Sequence, residues 1–231
     1  MQDRELTRLA AARADAALHA SWLRQKGIPC QAARVTEVPY TGLILAGLLE
    51  SQTRQPVVDA LLAGSDQALL GAVGNQPLLS VDMPSTVADL VLAFGSAQQR
   101  RAVVMEHKRF TARPNEADLE THQHLLDAAY QADGSGTIWQ TDLAYYGTGA
   151  PSWLGGLTRA EVTGFVVLDA LGRTMDEMFP VGRSNQHWHV TSYAQFGQSL
   201  RSSYEAGCQG LTPLLSTLYA HEKADALQAR S

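Results

Sequence analysis

Two apolar runs lie close together between Ala88 and Lys108. Leu90, Val91, Leu92, Ala93 and Phe94 form the first, and Ala102 to Met105 form the second, which ends in Glu106, His107 and Lys108. Short apolar runs bounded by polar or turn-forming residues predict two buried strands joined as a β-hairpin. If the loop is Gly95 to Arg100 and the register is symmetric, Phe94 faces Arg101. Five places further in, Asp89 faces Glu106, with Cβ atoms roughly 5 Å apart. Side chains alternate along a strand, so Glu106 and Lys108 share a face about 7 Å apart and His107 points the other way.

The rest of the chain alternates between the two periods. Leu6, Leu9, Ala10, Ala14, Ala17, Leu18 and Trp22 recur at helical spacing between Arg4 and Lys26, before Gly27 as a stop, and predict a packing helix. A second helix is predicted from about Glu37, with Thr36 as N-cap, Pro39 in the first turn and Leu43, Ile44, Gly47 and Leu48 as its buried stripe. Residues 55–74 predict short helical turns or loops, and Leu78 to Val81 a first strand. Beyond Lys108, a helix from about Asp118 to Gly134 precedes two further strands, Thr137 to Tyr146 and Glu161 to Ala170. The second of these is apolar enough to be covered on both faces. Between them lies a Gly- and Pro-rich loop carrying Trp153, read as a cap on the core rather than a base contact. Thr191 or Ser192 caps a helix to Glu205 with Gly207 as stop, and Thr212-Pro213 opens a last helix from Leu214 to about Leu227. The order predicts one α/β domain over 1–231, with a mixed central sheet flanked by helices. Residues 1–27 form an N-terminal packing helix, 36–170 the core and 191–231 the C-terminal helices.

With 45% apolar and 18% charged residues, the chain is long enough for a substantial core. Cys30 and Cys208 are the two cysteines and form no C-x-x-C pair, which points to a reducing compartment and away from disulfides or a cysteine zinc site. No stretch has the apolar core of a secretory signal or the length of a membrane span, so a soluble, cytoplasmic protein is expected.

Chemistry enters through the hairpin. Two carboxylates face each other on an otherwise apolar ribbon and repel unless a cation neutralises them. An all-oxygen donor set suits Mg²⁺ or Mn²⁺. His187 and His189 would share a face of a strand, but nothing near them completes a transition-metal site, and ordinary strand histidines around Trp188 are the preferred reading. His122 and His124, two apart on a helix, cannot grip one ion.

Asp89 on one strand with Glu106-His107-Lys108 on the next resembles the signature of the PD-(D/E)XK nuclease superfamily. There the first acid and the E-x-K triplet lie on adjacent antiparallel strands, hold one or two Mg²⁺ ions and cut phosphodiester bonds. The proline that usually precedes the acid is replaced by Ala88, with Pro84 upstream. The resemblance spans roughly Thr36 to Leu143 and implies a restriction-endonuclease-like core. It further implies metal ligation by Asp89, Glu106, the backbone carbonyl of His107 and Glu37 at the start of the second helix, with Lys108 acting on the attacking water. Gln123, in the helix after the triplet, matches a glutamine that faces the active site in superfamily members. Glu37 could equally complement the helix dipole, and Glu50 is the rival position.

The net charge of −5 is unusual for a nucleic-acid enzyme. Between Arg100 and Arg113, however, Arg100, Arg101, Lys108, Arg109 and Arg113 outweigh Glu106, five minus one giving +4. Arg100, Arg101, Arg109 and Arg113 are therefore the candidate phosphate contacts. A solvated loop is the other reading, which would move the substrate path to Arg173, Arg183 and Arg201. The expected activity is metal-dependent endo- or exonucleolytic cleavage, of DNA ahead of RNA, with no membrane partner. A homodimer is favoured if both strands of a duplex are cut. The alternative is a non-cutting nucleic-acid-binding or scaffold protein on the same fold.

Overall fold

A computed structural model describes residues 2–29, 37–82, 89–96, 99–108, 162–174, 177 and 188–218. Four helices come first: α1 (Gln2–Gln25), α2 (Glu37–Leu49), α3 (Arg54–Leu61) and α4 (Gln67–Val73). Strands β1 (Leu78–Asp82), β2 (Leu90–Ser96), β3 (Gln99–Lys108), β4 (Val162–Asp169) and β5 (Trp188–Ser192) follow, then α5 (Tyr193–Glu205) and a 3₁₀ turn (Gln209–Leu211). The five strands form one mixed sheet in sequence order. β1, β2 and β3 are an antiparallel meander, and β4 and β5 run parallel to β3.

The α/β class with a mixed central sheet is as the patterning predicts. The hairpin register also agrees, with Phe94 opposite Arg101 and Leu90 opposite Met105. Its connection is tighter than expected, because pairing continues through Gly95–Arg100 to Ser96–Gln99. Residues 55–74, expected to hold short helical turns or loops, form the short helices α3 and α4. Asp66 caps α4 by accepting the Leu69 N–H at 2.9 Å. The expected strand 137–146, the helix from Asp118 and Trp153 lie outside the described residues.

The sheet has two buried faces. On one, Leu90, Leu92 and Phe94 of β2, Val103 and Met105 of β3, and Val166 and Leu168 of β4 pack against the helices. Tyr40, Ile44 and Leu48 come from α2, Val57, Val58 and Leu61 from α3, and Tyr193, Phe196 and Leu200 from α5. On the other face Val91, Ala93, Ala102, Val104, Phe165 and Val167 are also buried, and Phe165 stacks on Trp188 at 4.8 Å between centroids. Burial on both sides explains why β2 to β4 read as continuous apolar runs.

The inward stripe of α1 is not the expected one. Leu9, Ala16, Ala20 and Leu23 are buried, whereas Leu6 and Leu18 are 62% and 68% exposed. So many alanines surround the leucines that several helical faces carry nearly equal apolar weight. Packing then decides between them. At its C-terminal end, Trp22 Nε1 donates to Glu205 at 2.9 Å and Lys26 pairs with the same carboxylate at 3.1 Å, joining α1 to α5. The indole hydrogen bond first, and Lys26 second, hold the Glu205 carboxyl below its usual range.

Ser192 caps α5 through a full capping box with Gln195. Gly27 and Gly207 end α1 and α5 at φ of 69° and 111°, as C′ glycines do. The last helix differs from expectation, since residues 212–218 are helical directly after the 3₁₀ turn. Thr212 Oγ1 donates back to the Gln209 carbonyl at 2.8 Å instead of capping. Gly64 lets the α3–α4 connection lie on β5: a Cβ there would sit 1.9 Å from the Val190 carbonyl oxygen.

Candidate active site

The candidate site forms where β2 begins and β3 ends. The paired register ends at Leu90 opposite Met105, and Asp89, just before β2, donates its N–H to the Met105 carbonyl at 3.1 Å. Asp89 also ties the two strands through its side chain, because Oδ2 accepts the His107 N–H at 2.6 Å. The carboxylate thus takes the place of a backbone carbonyl at the end of the ladder. The N–H and C=O of one strand residue point to the same side. The His107 carbonyl is therefore directed toward the Asp89 edge as well.

Glu106 and Lys108 share the face opposite the helices, and the Lys108 ammonium donates to Glu106 Oε1. Both side chains are mostly enclosed, 11% exposed for Lys108 and 15% for Glu106. Across β3, the pairing of Lys108 with Asp169 on β4 places a further carboxylate on this face. Asp169 is fully buried and committed locally. Arg173 grips it through Nη2 at 2.6 Å and Nε at 3.1 Å, and the N–H groups of Leu171 and Arg173 donate to it at 3.2 and 2.7 Å. Asp169 therefore locks the turn after β4 and brings a guanidinium to the edge that holds Lys108.

The side chain of His107 lies on the helix face. Its Nε2 bonds the Tyr193 hydroxyl, its Nδ1 lies 3.5 Å from Thr41 Oγ1, and its ring meets those of Tyr40 and Tyr193, both at 5.6 Å between centroids. The imidazole is therefore core, and any contact of His107 with the site is through its backbone.

Among the predicted residues, the structure brings Asp89, Glu106, His107 and Lys108 together. Glu37 is the first residue of α2, but its side chain, like Gln123, Arg109 and Arg113 as whole residues, lies outside the described part. Glu50 is exposed at the far end of α2, nine residues or about 13 Å along the axis from Thr41, which contacts His107. It is too distant to join this site. Arg100 and Arg101 sit at the other end of β3, six and five residues from Glu106, or about 20 and 17 Å. His189 is buried and accepts the Asp66 N–H at 3.4 Å, while His187 lies outside the described residues.

The donor set at this corner is two carboxylates and a carbonyl, all hard oxygens, as Mg²⁺ and Mn²⁺ prefer. Among the described residues no three His, Cys, Asp or Glu side chains cluster as a complete metal cage. A divalent ion held here would complete its shell with water and substrate oxygens. No helix among the described residues is long and apolar enough to cross a membrane. No protein-family model, curated protein or solved structure matches the chain.

Sequence reasoning missed Asp169 and Tyr193, and named Arg173 only as an alternative residue of the substrate path. Asp169 had a local signal, an acid at the end of the apolar run VTGFVVLD followed by Gly172 and Arg173. That signal does not say which strand lies alongside.

Proposed function

We propose that this chain is a metal-dependent nuclease with a restriction-endonuclease-like core, acting on DNA ahead of RNA. The observation that carries the reading is the hairpin end, where Asp89, bonded to the His107 N–H, stands just before β2 beside the end of β3 that bears Glu106 and Lys108. Those residue types in that order on adjacent antiparallel strands are the arrangement the sequence resemblance implies.

Asp89, Glu106 and the His107 carbonyl would hold Mg²⁺ or Mn²⁺, and Glu37 would add a carboxylate from α2. When bound, the ion polarises a phosphate oxygen and lowers the pKa of a coordinated water. Lys108 supplies a positive charge paired with Glu106. From there it orients the water by hydrogen bonding and offsets negative charge as the phosphorus becomes five-coordinate. Arg173, fixed by Asp169, adds a second cation at the same edge of the sheet. Cutting both strands of a duplex would call for two such sites, which a homodimer supplies.

A non-cutting nucleic-acid-binding or scaffold protein is the second reading, and one observation favours it. Lys108 neutralises Glu106 and the His107 N–H engages Asp89, so the charged groups at the hairpin end have partners within the protein. Incubation with mixed DNA and RNA separates the readings. Cleavage in Mg²⁺ or Mn²⁺ that EDTA abolishes supports the nuclease, binding without cleavage supports the second reading, and neither result leaves the hairpin as structure alone.

Arg100 and Arg101 flank the hairpin turn about 20 Å from Glu106, about six base-pair steps along a duplex. Replacing both with Gln should weaken binding to all sequences alike and flatten the slope of log affinity against log salt by about two units, without changing base preference. An unchanged slope in a salt titration would place the phosphate path elsewhere, with Arg173 and Arg201 the next residues to replace.

A further inference from the structure

The middle residue of the triplet carries an inference that rests on the nuclease reading and deepens it. We propose that His107 is a positioning residue whose imidazole, bolted to Tyr193 and abutting Thr41, sets the backbone that faces the metal.

His107 lies between Glu106 and Lys108, so rotation of its peptide units would move both neighbours as well as its own N–H and carbonyl. Its side chain is fully buried, and so are Thr41 and, at 2% exposure, Tyr193. A neutral imidazole has one donor and one acceptor, and the Tyr193 and Thr41 hydroxyls can each take either role. The ring is therefore met by a hydroxyl at each nitrogen, strongly at Nε2 and at 3.5 Å at Nδ1.

Those hydroxyls come from two helices. Thr41 is on the second turn of α2, which begins at the candidate ligand Glu37, and Tyr193 is the first residue of α5, directly after β5. The contact thus links α2, α5 and β3 at the point where β3 presents the His107 N–H to Asp89. An apolar residue would fill the volume, but it would leave the rotation of this peptide to packing alone. Partners of this kind behind metal ligands typically change metal affinity or activity by 10–100-fold when removed.

Tyr193→Phe tests the idea, because it deletes one hydroxyl and keeps the ring. Mn²⁺ affinity, measured by calorimetry without nucleic acid, should fall by about tenfold. kcat for metal-dependent cleavage should fall by about 10–100-fold, with KM for DNA unchanged. Thr41→Val should act in the same direction but less, given its longer contact, and Thr41→Ser should recover most of that loss. Should Tyr193→Phe not fold, the Thr41 pair carries the same expectation. A Tyr193→Phe protein that folds with wild-type Mn²⁺ affinity and kcat overturns the proposal and leaves His107 as packing. If the wild-type protein neither binds Mn²⁺ nor cleaves, the nuclease reading fails, and this proposal with it. If the wild type does both and the variants match it, only the positioning role is lost.

Discussion

Lys108→Met should lower metal-dependent cleavage by about 10²–10⁴-fold, the usual contribution of a positioned proton-transfer or charge-stabilising group. Met keeps the aliphatic stem that fills the enclosed end of β3, so the sheet should form as before. The charge balance changes more. In the wild type the Lys108 ammonium sits on Glu106, with the Asp89 carboxylate nearby on the His107 N–H. Without it, Glu106 loses this ion pair in a largely enclosed setting. Removing one partner of a fully buried pair costs roughly 3–5 kcal/mol. At 11% and 15% exposure this pair should cost less, about 2–3 kcal/mol after screening. For a chain of this size, that lowers the melting temperature in EDTA by about 4–12 °C. Mn²⁺ should restore most of the loss, since a divalent ion supplies the missing charge. A melt in EDTA against a melt in Mn²⁺, beside a cleavage assay, reads all three effects. A variant that cleaves at the wild-type rate removes Lys108 from the mechanism. One whose melting temperature Mn²⁺ does not raise removes the metal from this corner.

How much of this was legible in the sequence depends on how local the determining contacts are. The hairpin was legible because charged residues flank the apolar runs, and a symmetric register pairs Leu90 to Ala93 with Met105 to Ala102, leaving Phe94 opposite Arg101. The turn was less so. Nothing in Gly95 to Arg100 marks where pairing stops, and backbone hydrogen bonds extend it to Ser96–Gln99. The face of α1 was ambiguous because alanine gives little contrast between inside and outside.

Contacts across β4 and α5 were not legible. Asp169 meets Lys108 through a parallel register, and Tyr193 meets His107 from a helix 86 residues away. Local patterning shows that β4 is a buried strand and that a helix capped by Thr191 or Ser192 follows β5, but not which residues they touch. His107 illustrates the consequence. Strand alternation predicts that it points away from Glu106 and Lys108. That the far side is a pocket of two tyrosines and a threonine depends on how the helices pack.

Asp89 distinguishes a metal ligand from a structural carboxylate when two substitutions are compared. Asp89→Asn keeps an oxygen that can accept the His107 N–H, now bonded at 2.6 Å, and removes the charge. Asp89→Ala removes both. Losing the acceptor leaves a backbone N–H unsatisfied at the end of the ladder, a cost of about 1–3 kcal/mol, or roughly 2–12 °C in melting temperature. For Asn, two effects oppose. A neutral acceptor weakens the bond by about 1 kcal/mol relative to a carboxylate. Removing the charge also relieves repulsion with Glu106, roughly 3 kcal/mol for charges about 5 Å apart at an effective dielectric constant near 20, before Lys108 offsets part of it. Relief should equal or exceed the loss. In EDTA, Asp89→Asn should therefore melt at or above the wild type, and Asp89→Ala below both. In Mn²⁺ the order reverses between wild type and Asp89→Asn, because the ion stabilises the protein that holds it more tightly. Cleavage should be lost in both variants. If Asp89→Asn instead melts as low as Asp89→Ala in EDTA and Mn²⁺ leaves all three unchanged, the negative charge of Asp89 serves the fold. The hairpin end would then be a structural ion cluster.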